Sequence, residues 1–218
     1  MCPRRLFETP VYAAAMGNRE DLIAGAKRCL LEKGYAATTA RDIAAASGVS
    51  LAAIGYHFGS KDALMNQAVF DSVGDWADGL QRGMDADEVL DGPPLQRFEA
   101  AVDRTLSSFG GPDRGLWAAQ LELMALALRN DDLRAFLAGV QDMAGQGLAE
   151  LFLGIDMAAD PEVSRQAGTV MHALFIGLMA KYFLDPGKAS TAQDIAAGLR
   201  LVAQRVLAGS ASAPQENE

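Results

Sequence analysis

The sequence predicts an all-α fold from three observations. Apolar residues recur at helical spacing along most of the 218 residues, no stretch shows convincing strand alternation, and helix-start and helix-stop residues punctuate the chain at helix-length intervals. Three short helices are expected before a long one, followed by a helical body.

The first helix is expected near 19–33. Asn18 followed by Glu20 and Asp21 marks its start, Leu22, Ile23, Ala26 and Leu30 share a face, and Gly34 stops it. Thr39-Ala40-Arg41-Asp42 is a capping-box pattern, in which hydroxyl and carboxylate satisfy each other's orphan backbone donors, and Gly48 ends that second helix. Ser50 is placed to cap a third segment, Leu51 to Phe58, which Gly59-Ser60 breaks. Ser60 then caps a long helix beginning at Lys61. Beyond Leu80, breakers at 91–94, 110–113, 130–132, 154–161 and 185–187 separate helices near 61–83, 94–109, 113–129, 132–153, 160–184 and 191–208. The expected organisation is a flexible arm over 1–17, a head over 18–65, a helical body over 66–208 and a disordered Ser/Ala/Pro/Gln-rich tail over 209–218.

Composition is that of a globular chain: 50% hydrophobic, 22% charged and 7% aromatic. The net charge of −9 argues against indiscriminate binding to nucleic acid or anionic membranes. The charge is unevenly spread, however. Residues 1–65 hold 8 basic and 6 acidic side chains, whereas 66–218 hold 11 and 22, so a DNA-facing head on an acidic body is allowed. Two cysteines, Cys2 and Cys29, make no disulfide framework, which suits a reducing, cytoplasmic location. The longest uncharged apolar stretch, Gln166 to Ala180, is shorter than the roughly 20 residues of a bilayer-spanning helix, so no membrane association is expected. Arg4 and Arg5 before Ala13-Ala14-Ala15 faintly mimic a signal peptide, but Glu8 and Pro10 interrupt the apolar region. With Met16 just ahead of the expected first helix, residues 1–15 are either a disordered arm or a product of start-codon choice.

The most informative segment surrounds Ser47-Gly48-Val49-Ser50. A short Gly-containing turn joining two helices of eight or nine residues is the helix-turn-helix arrangement. A rod of eight residues, about 12 Å long, fits a major groove about 12 Å wide. Ile43, Ala44, Val49, Ile54 and Phe58 supply an inner face that joins the two helices, leaving the outer face for a partner.

Thr38-Thr39-x-Arg41-Asp42-Ile43-Ala44, Gly48-Val49-Ser50, Ile54, Tyr56-His57-Phe58, Gly59-Ser60-Lys61 and Leu64 together resemble the N-terminal domain of TetR-type transcriptional regulators. The likeness covers about residues 19–66; the remainder is similar only in being long, helical and acidic. It implies a homodimeric repressor of operator DNA, with a C-terminal domain that takes a small-molecule effector and a dimer interface in the last two long helices. By the same resemblance, Arg41, Ser50, Leu51, Ala52 and Ala53 are assigned to groove contacts, and Thr39, Tyr56, His57 and Lys61 to phosphates. A cation at a helix N-terminus and hydroxyl or imidazole donors suit that chemistry. Core-edge packing is the other reading of Tyr56 and His57.

Leu51, Ala52, Ala53 and Gly55 offer no bidentate side chain to a base edge, and position 55 is often aromatic in the family. Specificity then comes from thymine methyls, Arg41 and DNA shape, or the smooth surface seats more deeply and backbone groups do more. Close helix packing is the alternative account of Gly55. Arg4 and Arg5 could reach a minor groove as a basic arm, or be an idle solvated tail.

In the body, large apolar side chains occur on every helix, and most are expected to be core. Trp117, Met143, His172 and Phe175 are the candidates for an effector pocket, with His172 either a satisfied core histidine or the polar group that orients a largely hydrophobic ligand. Val163, Ala167, Val170, Met171, Leu174 and Leu178, with Ile195, Leu199, Val202 and Val206, form stripes for a four-helix dimer interface or for the chain's own core. The coupling expected is that ligand shifts the helix beginning at Lys61 and so changes the spacing of two recognition helices, about 34–36 Å or a multiple of it. No catalytic, cofactor or metal site is expected, since the two histidines lie far apart and no Walker, dinucleotide or Cys/His metal spacing occurs. The rival reading is a helical protein-protein adaptor without DNA binding.

Overall fold

A computed structural model describes residues 10–210, with side chains described over 17–208. Among the described residues are nine α-helices, one 3-10 turn and no strand: α1 Pro10–Lys33, α2 Ala40–Ser47, α3 Leu51–Phe58, α4 Lys61–Ala86, α5 Pro94–Gly110, α6 Arg114–Ala127, α7 Asp131–Leu153, α8 Pro161–Leu184, the 3-10 turn Pro186–Lys188 and α9 Ala192–Ser210.

The largest departure from the sequence reading is the start of α1. Expected at 19, the helix begins at Pro10, so the later part of the stretch read as a flexible arm is helical. Proline is tolerated in a helix's first turn, where its missing N–H has no intrahelical partner to lose, and Ala13 to Ala15 propagate the helix through Gly17 and Asn18. Arg4, Arg5 and Cys2 lie outside the described residues, as does the tail from 211.

Several caps are present, Ser60 where expected, and Asn130 and Asp160 within segments read only as helix breaks. Ser60 Oγ accepts from Ala63 N at 3.0 Å, Asn130 Oδ1 from Leu133 N at 3.0 Å, and Asp160 Oδ1 from Val163 N at 3.1 Å. Ser50 differs: its hydroxyl makes no capping bond, and its carbonyl closes the first turn of α3 by accepting from Ala53 N at 3.0 Å.

The chain packs as two compact units. The first runs through Gly79 and takes in Ser108–Gly139; the second comprises Leu80–Ser107 and the chain from Val140 onward. The first unit buries Leu22, Ala26, Leu30, Ile43, Ile54, Leu64 and Met65 around α1–α4, and Phe109 and Trp117 around α6. Gly25 lets α1 and α2 touch backbone to backbone, because a Cβ there would lie 2.9 Å from Ser47 N and 3.1 Å from the Ile43 carbonyl oxygen.

In the second unit, Arg97 ends α7 by donating to the Leu151 carbonyl at 3.0 Å and to the Glu150 carbonyl at 2.7 Å, while a third bond at 2.7 Å holds the Leu90 carbonyl. Crossing of α7 and α8 is close at Gly145 and Gly168, where a Cβ on Gly168 would meet the Gly145 carbonyl carbon at 2.6 Å. By length and composition α8 could cross a membrane, although its uninterrupted uncharged stretch, Gln166 to Ala180, is shorter than a span. Its buried residues, among them Ser164, Gly168, Met171, Leu178 and Met179, instead belong to the core of this unit.

Candidate nucleic-acid interface

The candidate interface is built outward from the α2–turn–α3 core. Ile43 and Ile54 are buried and face each other's helices, with Val49 and Phe58 half-buried at the edges. Gly48 makes the turn with φ +71°, a conformation that a side chain disfavours, and its N–H closes α2 on the Ala44 carbonyl at 3.0 Å. Ser47 Oγ accepts from Val49 N at 3.2 Å and fixes the direction in which α3 leaves.

The expected capping box is formed. Asp42 N donates to Thr39 Oγ1 at 3.2 Å, and Thr39 N donates to Asp42 Oδ2 at 2.9 Å. A second tie comes from α1, whose Lys33 Nζ lies 2.6 Å from Asp42 Oδ1. That bond, then those from the Thr39 side chain and backbone, holds the Asp42 carboxyl well below the usual carboxylate range. Arg28 donates to the Ala46 carbonyl, and the Arg19 guanidinium lies 5.2 Å above the Phe58 ring. Three cations of α1 therefore hold the helix pair in place.

What remains outward is the face the sequence assigned to a partner. Tyr56 is 81% exposed and Leu51 49% exposed, and Ser50, Ala52 and Gly55 are also exposed, with Ala53 half-buried. A Cβ on Gly55 would find nothing within 4 Å, so close packing inside this chain does not explain the residue. Thr39 and Arg41 are exposed at the start of α2, and Arg41 makes no ion pair among the described residues. His57 is half-buried, edge-on to Tyr56 with centroids 4.8 Å apart.

Lys61 has a more internal setting than a simple phosphate ligand. Its Nζ donates to the Thr38 carbonyl at 3.3 Å, pairs with Asp62 at 3.0 Å and lies 5.5 Å from the centre of the Tyr35 ring. Tyr35 is buried, its hydroxyl donates to Asn66 Oδ1 at 2.7 Å, and burial, with Asp62 and Glu122 nearby, pushes its phenol up to about 12. The loop after α1 is held from far along the chain: Glu122 of α6 accepts Tyr35 N and Ala36 N, each at 3.1 Å. Sequence reasoning missed Glu122, since 87 residues separate it from Tyr35 and nothing in the local pattern of α6 singles it out.

The four effector-pocket candidates divide between the units. Trp117 belongs to the first, fully buried, edge-on to Trp76 and Phe109 with centroids 4.9 and 5.8 Å away, and its Nε1 donates to Ser108 Oγ at 3.0 Å. The other three lie in the second: Met143 is 54% exposed, Phe175 is buried, and His172 is half-buried with its imidazole pKa lowered by burial. No cluster of three or more metal-ligating side chains occurs among the described residues.

An outward-facing recognition helix, locked by a capped partner helix, defines a helix-turn-helix domain. Residues 22–68 match the family described as bacterial regulatory proteins, tetR family. The transcriptional regulator TtgR of Pseudomonas putida is 36% identical over 77 residues, covering 35% of this chain and 36% of that protein. The transcriptional repressor AcnR of Corynebacterium glutamicum is 43% identical over 47 residues, covering 22% and 25%. The matched region thus spans about a third or less of these curated relatives' length. Likeness to solved structures extends further: the multidrug binding protein EbrR, in complex with imidazole, is 25% identical with a TM-score of 0.60, over 91% of this chain and 97% of that one.

Proposed function

We propose that this protein is a DNA-binding transcriptional regulator, a homodimeric repressor released from its operator by a small, largely hydrophobic effector. The observation that carries the reading is the exposed face of α3: Leu51, Ala52, Gly55 and Tyr56 stand outward, although an apolar helix of this kind would ordinarily be covered. Arg41 and Thr39 flank that face, as groove and phosphate contacts require. With Gly55 open to solvent, the surface admits close approach of the helix to a groove floor, where apolar contact with thymine methyls and DNA shape supply sequence preference. TtgR and AcnR, regulators by name, resemble this chain over 77 and 47 residues.

Dimerisation is supported by apolar side chains that the chain leaves uncovered. Val163 and Val170 of α8, with Leu201, Val202 and Val206 of α9, are exposed at helical spacing. Effector binding is supported by EbrR, which is named for multidrug binding. In this reading a ligand held by the helical body shifts α4, and the two recognition helices of the dimer lose the spacing that one operator demands.

The test is selection of bound fragments from random duplexes by the full chain, with and without a cell-metabolite extract. A recurrent palindromic sequence, depleted when extract is present, is expected. Retention of no duplex, with capture of protein partners instead, would replace this reading with that of a helical adaptor.

A further inference from the structure

We infer that Glu122 is a positioning residue for DNA recognition: its carboxylate, 87 residues away in sequence, sets the attitude of the helix-turn-helix from α6. The inference rests on the DNA-binding reading above. Both Glu122 oxygens are used, one on Tyr35 N and one on Ala36 N, so the contact fixes direction as well as distance. The loop so held leads directly into the α2 capping box at Thr39.

Tyr35 carries the constraint onward. Its hydroxyl holds Asn66 of α4 at 2.7 Å, and its ring lies under Lys61, which in turn holds the Thr38 carbonyl. One buried side chain therefore joins α6, the start of α4 and the approach to α2. The seat is stiff, because α6 meets the end of α1 backbone to backbone: a Cβ on Gly115 would lie 2.6 Å from the Leu31 carbonyl oxygen. A displacement of α6 is thus transmitted to the reading head through Glu122, whether or not α4 moves as a lever.

The test compares wild type, Glu122→Gln and Glu122→Asp on a duplex that wild type selects from a random pool and on a scrambled duplex. A glutamine keeps the size but presents a donor to one N–H, leaving that group unsatisfied. Glu122→Gln should bind the selected duplex about tenfold more weakly and the scrambled duplex as wild type does. Amide exchange at Tyr35 and Ala36 should quicken while that in α8 does not, and Glu122→Asp should recover part of the loss. Equal weakening on both duplexes would mean a smaller folded fraction only and overturn the inference, as would unchanged affinity. If wild type selects no duplex, the DNA-binding reading itself fails, and the inference with it.

Discussion

Gly25 of α1 and Ser47 of α2 leave no room for one further carbon, since a Cβ on Gly25 would come within 2.8 Å of Ser47 Cβ and 2.9 Å of its backbone nitrogen. Backbone atoms cannot swing aside as a flexible side chain can. Gly25→Ala should therefore destabilise the head by about 1–3 kcal/mol, despite alanine's better helix propensity. Urea unfolding followed by circular dichroism reads this as a lower midpoint; an unchanged or higher midpoint would show that α1 and α2 separate freely.

The capping box predicts an acid response. Asp42 is held below its ordinary range by Lys33 first and then by Thr39, so its folded-state pKa lies below the unfolded value of about 3.9. The stability it contributes is present above that unfolded value and is lost as pH falls through the folded one. Asp42→Asn should flatten the fall in melting temperature between about pH 4 and 2. Thr39→Ala, which removes the cap at any pH, should cost about 1 kcal/mol.

His172 has the same sign for a different reason. Burial favours its neutral form, so the folded pKa lies below the ordinary histidine value of about 6.5. No cost arises above that value; as pH falls below it, the unfolded chain takes up the proton more readily and stability declines. His172→Gln should remove this component from the melting curve as pH falls below about 6.5. A wild-type curve flat below that value would contradict it.

The exposed stripe of α9 predicts an assembly defect. Val202 is 60% exposed and Val206 68% exposed, so Val202→Asp and Val206→Asp should leave the monomer folded, with helical content unchanged. Sedimentation velocity should show dimer in the parent chain and monomer in the double variant, because an aspartate pair buried in an apolar interface has no partner. A dimer surviving both changes would place the interface elsewhere.

Helix number and most boundaries were legible in the sequence because they depend on local chemistry: Thr39 with Asp42 and Ser60 cap where their spacing predicts, while Asn130 and Asp160 cap inside segments legible only as helix breaks. Ser50 was not, since its hydroxyl makes no capping bond while its carbonyl does the closing. The outward face of α3 could be read from the period of Ile54 and Phe58 alone. Glu122 could not, because its partners are backbone N–H groups, which carry no sequence signature. Lys61 was legible as a helix-start cation, but not as the residue that lies over Tyr35 and holds Thr38.

The most direct test of the account is the salt dependence of duplex binding by the full chain and by Arg41→Ala. With about six to ten phosphates neutralised by a dimer, affinity for the selected duplex should fall by roughly 10³-fold or more between 50 and 200 mM salt. Arg41→Ala should in addition lose discrimination between the selected duplex and its base-substituted forms. Binding that hardly responds to salt, or an Arg41→Ala protein with the parent's affinity and preference, would contradict the assignment of the α2–α3 face to DNA.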